Sequence, residues 1–454
     1  MNPTWKPVLE GRLAQEARTA VEAIAAALRV GDIDDIQESA VRVSMESVME
    51  RSVLSQDLHG PKASLASGAA GLALFWAYLA DATQCHADAE RAAACLDAAI
   101  DTVAHYPTSE SLYGGYTGIA FAVEHLNHRF FGDGRDGDAD ANEQDDDECG
   151  INETIDYAVY QVVQKASELD NFDLISGSVG HGVYGLERLP HPSALTCLKA
   201  VVEQLQRRAV QSSPGLKTWY TPPELLPPWQ REVAPIGYYN LGLAHGVPGV
   251  IGLLGHIVAA DAVPEALPLL EEAVDWLLRQ KLPSSADSTF STCIIEGRKP
   301  YPSRSAWCYG DPGVAIALLA AARGAQNAMW ECQAIDMAKK CARRAPQRTG
   351  VQDAALCHGA AGLGHIFNRF YQATHDIEFA DTARFWLQRA LDMRQKDRGF
   401  GGFGVNVFER DGQAQPVDNA AFLMGASGIG LALLAAIGST EPTWDRVLLT
   451  AVPE

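Results

Sequence analysis

The sequence has little positive charge for its length. Its 454 residues include 36 Lys and Arg against 57 Asp and Glu, so the formal net charge is −21. Proteins bind nucleic acids and anionic membranes mainly through Lys and Arg side chains that neutralise phosphate, so the charge argues against both partners. Part of the acidic excess lies at 132–150, in a run too polar and too like-charged to pack. We expect an acidic mobile loop there.

Long hydrophobic runs, a secretory signal and a disulfide framework are also missing. No run of about 18 apolar residues occurs, and the first residues lack a basic region followed by an apolar core. The nine cysteines are odd in number and irregularly spaced, unlike those of a disulfide-rich secreted domain. There is no phosphate-binding loop or dinucleotide-binding signature. We therefore expect a cytoplasmic protein with no transmembrane segment and no need for a nucleotide or redox cofactor.

What the sequence does contain is a glycine repeat. A Gly-x-x-Gly step followed by an apolar stretch at helical spacing occurs seven times, with successive first glycines 47 to 69 residues apart. One such step means little, because glycine is common at helix ends, but seven in register indicate an internal repeat. The steps begin at Gly68, Gly115, Gly177, Gly246, Gly310, Gly359 and Gly425.

Amphipathic helices are predicted between the glycine steps, one ahead of each apolar helix. A pair of one apolar and one half-polar helix cannot bury itself, but seven pairs can close into a ring with the apolar helices inside. We therefore predict an all-α fold, an α/α toroid or double ring with seven inner and seven outer helices. The outer helices are predicted near 36–55, 87–106, 152–169, 195–212, 264–282, 328–344 and 378–396.

Two segments fall outside this repeat. A helix near 9–30 predicts an N-terminal helical extension over 1–35, followed by a barrel domain over 36–454. A Pro-rich segment at 221–229 is either a loop that shapes access to a site or a long connection between helices.

Metal-binding and acid–base residues are concentrated just before three neighbouring glycine steps. Because all inner helices would begin at one end of the ring, these residues should meet on one rim. Cys308 and Cys357 stand two residues before their glycines, whereas His245 and His358 stand one residue before theirs. Two thiols and one imidazole suit a catalytic zinc with an open fourth position. His245 could close the site as a fourth ligand or act as an acid beside it.

Three other cysteines lack this register. Cys95, Cys197 and Cys341 are predicted to be small buried side chains without a chemical role.

The chain resembles the lanthionine synthetase C-like family, the lantibiotic cyclases, over nearly all of its length. Besides the seven glycine steps, the resemblance rests on Ser-Arg-Ser-Ala-Trp-Cys-Tyr-Gly-Asp-Pro-Gly at 303–313, Leu-Cys-His-Gly-Ala-Ala-Gly at 356–362 and Ala-His-Gly-Val-Pro-Gly at 244–249. It implies a double ring of helices and a zinc ion held by Cys308, Cys357 and His358.

The resemblance also implies roles for four other residues around the metal. His245 would be the catalytic histidine, and Asp173, in the short motif Asp-Leu-Ile-Ser-Gly, would be the catalytic acid group. Arg304 and Tyr309 would flank the metal.

The activity that the resemblance implies agrees with the chemistry of these residues. A peptide cysteine loses its proton on binding zinc, and its sulfur can attack the β-carbon of a dehydroalanine or dehydrobutyrine in the same peptide. His245 would protonate the resulting enolate at the α-carbon, Asp173 would accept a proton or orient a neighbour, and Arg304 would steady negative charge. The product is a lanthionine or methyllanthionine thioether ring.

The resemblance also implies partners. The substrate would be a dehydrated precursor peptide. We find no kinase- or lyase-like region ahead of the predicted barrel, so we expect dehydration to be done elsewhere, and the resemblance implies a separate dehydratase and an exporter.

Three other functions remain open. A zinc prenyltransferase-like barrel also activates a peptide thiol, but it would need clustered Lys and Arg on the rim for a diphosphate, and we find no such cluster. The protein could instead add glutathione or another small thiol to a dehydrated protein. A non-catalytic zinc-stabilised scaffold that binds peptides would have no need of His245.

Overall fold

The computed structural model describes residues 5–30, 59–131, 152–408 and 414–454. The outer helix predicted near 36–55 and the acidic loop predicted at 132–150 lie outside the described residues. No helix among the described residues is both long and apolar enough to cross a membrane.

Seven helices form a closed inner ring, which confirms the predicted toroid. Each begins directly after the first glycine of a step and packs on the next inner helix in chain order, and the seventh packs on the first. The inner helices are α3 (Ala69–Thr83), α5 (Tyr116–Leu126), α7 (Ser178–Glu187), α10 (Val247–Ala259), α12 (Asp311–Gly324), α14 (Ala360–Thr374) and α16 (Ala426–Ile437).

Six amphipathic helices of the outer layer each follow an inner helix and pack on it. They overlap the predicted segments, but four of them end four residues before the predicted bound. The segments predicted at 152–169, 195–212, 264–282 and 378–396 leave the helix after Lys165, Arg208, Leu278 and Asp392, and the chain after Arg208 continues as a strand. The six are α4 (His86–His105), α6 (Glu153–Lys165), α8 (Pro192–Arg208), α11 (Ala266–Leu278), α13 (Ala328–Ala342) and α15 (Ile377–Asp392).

The N-terminal helix α1 (Gly11–Val30) takes the outer position over α16. It also contacts α15, and Arg29 near its end forms an ion pair of 2.6 Å with Asp88 of α4. From the sequence, this helix is predicted as an N-terminal extension outside the repeat. In the structure α1 buries its apolar face, including Val21 and Ile24, as the other outer helices do.

Each glycine step is needed because the turn ahead of the inner helix folds back onto the helix start. In all seven repeats, a Cβ on the second glycine would lie 1.8–2.6 Å from the carbonyl oxygen six residues earlier. In α10, for example, a Cβ on Gly249 would lie 2.4 Å from the carbonyl oxygen of Leu243. Any side chain would force the turn away from the helix, so glycine is required at this close approach.

Main-chain hydrogen bonds join these seven turns into a closed ring, which we call the rim belt. Each turn donates an N–H to the carbonyl of the next turn, and the last turn donates to the first. The belt therefore fixes which turns are neighbours, and it places the main chains of Cys308 and Cys357 side by side. The donor–acceptor pairs, at 2.9–3.3 Å, are Ala66–Tyr113, Tyr113–Ile175, Leu174–Ala244, Ala244–Cys308, Cys308–Cys357, Cys357–Leu423 and Leu423–Ala66.

Residues 443–451 run through the interior of the ring and form a floor beneath the rim belt. Trp307 Nε1 donates to the carbonyl of Leu448, and Tyr113 Oη donates to that of Val447, both at 2.9 Å. Asp445 has no solvent exposure and lies 2.6 Å from both Arg369 and His365 of α14. The ring is therefore filled by packed side chains and buried ion pairs.

Several short strands and helices occur between the ring helices in chain order. The antiparallel strand pairs are β1 (Val210–Ser213) with β2 (Leu216–Thr218), β3 (Tyr239–Asn240) with β4 (Cys293–Ile294), and β5 (Gly404–Phe408) with β6 (Ala414–Asp418). Two short helices, α2 (His59–Ala63) and α9 (Pro228–Val233), complete the secondary structure used below. The β3–β4 pair holds the chain that follows the Pro-rich segment next to the rim.

Candidate metal and acid–base site

The rim belt brings Cys308, Cys357 and His358 together. One potential ligand atom from each lies within 4.8 Å of the other two. The two cysteines are neighbours because the N–H of Cys308 donates to the carbonyl of Cys357 at 3.2 Å. Their exposed fractions are 5 % and 9 %, so the thiols lie at the boundary between the core and the rim.

The orientation of His358 suits a metal ion. Its Nε2 lies 3.8 Å from Asp353 Oδ2, whereas its Nδ1 is buried and has no hydrogen-bond partner within the described structure. A buried polar atom without a partner is costly, so the free nitrogen points to something that binds there. Two thiolates and one imidazole nitrogen form a donor set that zinc takes. The residues present therefore fit a zinc ion.

The thiol pair favours a thiolate on Cys308. A hydrogen bond from the Cys357 thiol is the main reason that the pKa of Cys308 lies well below its ordinary value, and His358 and Arg304 add to the effect. Arg304 Nη2 lies 3.4 Å from Cys308 Sγ. The same hydrogen bond, followed by burial, raises the pKa of Cys357. Negative charge at this position is thus stabilised by the protein itself.

His245 and Asp173 form a hydrogen-bonded pair near this cluster. His245 Nδ1 lies 2.6 Å from Asp173 Oδ2, and the other oxygen of Asp173 accepts from the N–H of Ser176 at 2.8 Å. Although burial opposes the charged form, the charge of Asp173 and its hydrogen bond raise the pKa of His245. The His245 side chain is 42 % exposed, so its imidazole remains accessible.

The geometry favours the acid role over the ligand role for His245. Its Nδ1 is occupied by Asp173, and the metal-binding cluster found among the described residues contains the two cysteines and His358 but not His245. Asp173, for which the sequence left a proton-accepting or an orienting role open, lies where it can orient His245 and hold its charge.

Tyr309 links the cluster to a cavity of about 590 Å³. Its ring stacks on that of His245 with a centroid distance of 6.1 Å. Besides Tyr309, the cavity is lined by Trp229, Val233 and Tyr301, each of which is also exposed to solvent. Trp229 belongs to the Pro-rich segment at 221–229, so this segment borders the cavity beside Tyr309.

Sequence reasoning missed Asn240 and Asp353. Each stands six residues before a first glycine and uses Oδ1 to accept the N–H two residues later, at 2.8 Å and 3.0 Å. The other terminal atom of each side chain faces the site, since Asn240 Nδ2 lies 3.2 Å from Tyr309 Oη and Asp353 Oδ2 lies near His358. The signal was available, because both residues share one register relative to the glycine steps.

Cys95, Cys197 and Cys341 are buried away from this chemistry, as predicted. They are 2 %, 3 % and 5 % exposed, and burial raises the pKa of each to about 12. All eight cysteines in the described part of the chain are free thiols.

Comparisons with known proteins agree with the fold and the motifs. The family model for lanthionine synthetase C-like protein matches residues 61–449. The nisin biosynthesis protein NisC of Lactococcus lactis subsp. lactis is 26 % identical over 356 residues, which cover 75 % of this chain and 77 % of that protein. Glutathione S-transferase LANCL1 of Danio rerio is 27 % identical over 251 residues, 51 % of this chain and 54 % of that protein.

A solved structure of nisin cyclase has the same fold. It matches with a TM-score of 0.69 at 20 % identity and covers 87 % of this chain and 93 % of that chain.

Proposed function

The chain belongs to the lanthionine synthetase C-like family, and on this basis we propose that it is a zinc-dependent lanthionine cyclase acting on a dehydrated precursor peptide. One observation supports this most directly. A three-residue soft donor set lies at the rim near a histidine that is hydrogen-bonded to a carboxylate, and this carboxylate raises the histidine pKa. A purely structural zinc site would be closed by a fourth protein ligand.

Cys308, Cys357 and His358 would hold the zinc. A zinc ion held there would lower the pKa of a substrate thiol, so that the thiol loses its proton to solvent, and would hold the sulfur in place. The Arg304 guanidinium next to Cys308 Sγ offsets the negative charge that accumulates around three sulfurs.

His245 and Asp173 would supply the proton that the α-carbon receives. When the sulfur forms its bond to the β-carbon of the dehydro residue, the electron pair of the double bond moves into an enolate. His245 then donates its Nε2 proton to the α-carbon, and Asp173 keeps the imidazole charged and oriented until that step. No oxidant or reductant is needed, because the addition is an isomerisation of the peptide.

The cavity beside Tyr309 supports a peptide as the substrate. Its apolar and aromatic walls, including Trp229 and Tyr301, suit side chains that flank the reacting cysteine. The free thiols of the described residues suit a reducing compartment, so we place the reaction in the cytoplasm. The family resemblance implies a separate dehydratase and an exporter as partners.

A second candidate is the addition of glutathione or another small thiol to a dehydrated protein. It is favoured by the similarity to the relative named glutathione S-transferase, although that match covers about half of each chain. A non-catalytic zinc-stabilised scaffold would form the same cluster but would not depend on His245.

One experiment separates the candidates. The zinc-loaded protein is incubated with a dehydrated, cysteine-containing peptide, with and without glutathione, and free thiols are counted by alkylation and mass spectrometry. A cyclase removes one free thiol per ring without changing the peptide mass, whereas glutathione addition increases the mass. Unchanged thiols in every sample would contradict both enzymatic functions. A cyclase should also lose ring closure but keep zinc on His245→Ala substitution.

A further inference from the structure

Asn240 connects the turn ahead of α10 to the phenol of Tyr309. It is 1 % exposed, and its Oδ1 accepts the N–H of Gly242 at 2.8 Å. Its Nδ2 lies 3.2 Å from Tyr309 Oη and 3.3 Å from Tyr238 Oη. Every polar atom of this buried amide therefore has a partner.

The orientation of the amide is fixed by its partners. A main-chain N–H can only donate, so the atom that faces Gly242 has to be the oxygen. The NH₂ group must then face the two phenols, and its two hydrogens match the two phenol oxygens. This assignment needs no assumption about hydrogen positions, which usually have to be inferred for asparagine.

The consequence for Tyr309 is that its oxygen accepts a hydrogen bond from Asn240. The hydroxyl hydrogen of Tyr309 has no acceptor in the part of the chain that the structure describes. An ordinary tyrosine has a pKa of about 10, so a phenol carries its hydroxyl hydrogen at neutral pH. The Tyr309 ring lies against His245 and borders the cavity, so its free hydrogen can be directed at a bound substrate.

We propose that Asn240 is a positioning residue that keeps Tyr309 as a hydrogen-bond donor to the carbonyl oxygen of the dehydro residue in the substrate peptide. This proposal rests on the proposed function. As the sulfur bonds to the β-carbon, the electron pair of the double bond moves towards that oxygen, which becomes negative. Tyr309 donates a hydrogen bond to it without giving up its proton, and the proton for the α-carbon still comes from His245.

The last repeat offers a matched control. Asn419 stands six residues before Gly425, and its Oδ1 accepts the N–H of Ala421 at 2.8 Å, as Asn240 does for Gly242. Its Nδ2 is buried and makes no hydrogen bond within the described structure. An Asn→Asp change at either position makes the same chemical substitution at the equivalent place in its repeat, but only Asn240 contacts Tyr309.

The test compares Asn240→Asp, Tyr309→Phe, the double variant and Asn419→Asp in the ring-closure assay. Aspartate keeps the acceptor for Gly242 but accepts the Tyr309 hydroxyl, which turns the donor away from the substrate. We expect kcat to fall about 10²-fold for Asn240→Asp, the usual effect of losing one such donor, with KM and zinc content unchanged. Tyr309→Phe should show the same fall, the double variant no further fall, and Asn419→Asp the wild-type kcat.

Several results would overturn this assignment. Wild-type kcat in Asn240→Asp or in Tyr309→Phe excludes it, and so does an additive loss in the double variant, because independent effects would not pass through one hydroxyl. If Asn240→Asp does not fold, as judged by circular dichroism, Tyr309→Phe alone still decides whether the donor exists. A wild-type protein that closes no rings would instead refute the proposed function, and this assignment with it.

Discussion

Single side chains at the rim set the pH behaviour expected of the site. Asp173→Asn keeps an acceptor near His245 but removes the negative charge that raises the histidine pKa. In the wild type the raised pKa keeps His245 protonated to higher pH, so the variant should lose its general acid at lower pH. We expect the alkaline limb of the profile of kcat/KM against pH to move to lower pH. An unmoved limb would mean that His245 is not the acid.

Replacing Cys357 and replacing Cys95 should have different effects on zinc binding. Cys357→Ala takes away one of three donors and should abolish retention of zinc through gel filtration, whereas Cys95→Ala removes an equally buried thiol far from the cluster and should leave the metal content unchanged. Metal analysis of the two purified variants checks this. Full zinc content in Cys357→Ala would show that the metal binds elsewhere.

At the scale of an element, two of the three glycines in α10 have opposite roles. A Cβ at Gly249 would lie 2.4 Å from the carbonyl oxygen of Leu243, whereas a Cβ at Gly252 would make an ordinary contact of 3.4 Å with Ala317. Gly249→Ala should therefore be strongly destabilising. Gly252→Ala should be neutral or stabilising by up to about 1 kcal/mol, because alanine favours helix over glycine.

Urea unfolding of these two variants measures the difference. Equal stabilities would mean that the turn ahead of the helix can move away at no cost, and that the glycine steps are not required by close approach.

Much of the fold can be predicted from the glycine steps and from the residues that stand at fixed distances before them. The features that could not be predicted have physical reasons. The glycine steps predict the inner helices and the meeting of Cys308 with Cys357, because equivalent positions of a closed repeat face the same rim. The outer position of α1 was missed, since its partner α16 lies about 400 residues away and no local pattern connects them. The role of Asn240 was missed because it depends on the atom that faces a neighbouring repeat.

For the whole molecule, zinc should act as a clamp between two neighbouring repeats. Because the native cluster exists only in the folded ring, binding stabilises the folded state by about 2.7 kcal/mol when free zinc is 100 times its dissociation constant. Thermal unfolding with zinc and with a chelator should differ in Tm for the wild type and not for Cys357→Ala. A chelator-independent Tm would show that the repeats need no metal to hold together.

The rim belt also limits how proteins of this shape can gain or lose repeats. Every turn bonds to two others, and the pair Leu423–Ala66 closes the circle, so there is no end repeat to extend or trim. Duplicating or deleting one repeat would break the circle, unlike in an open solenoid, where units are added freely. The copy number is therefore locked at seven, and growth or loss of chain is confined to the connections, such as the segment between α8 and α10 that supplies Trp229 and Asn240.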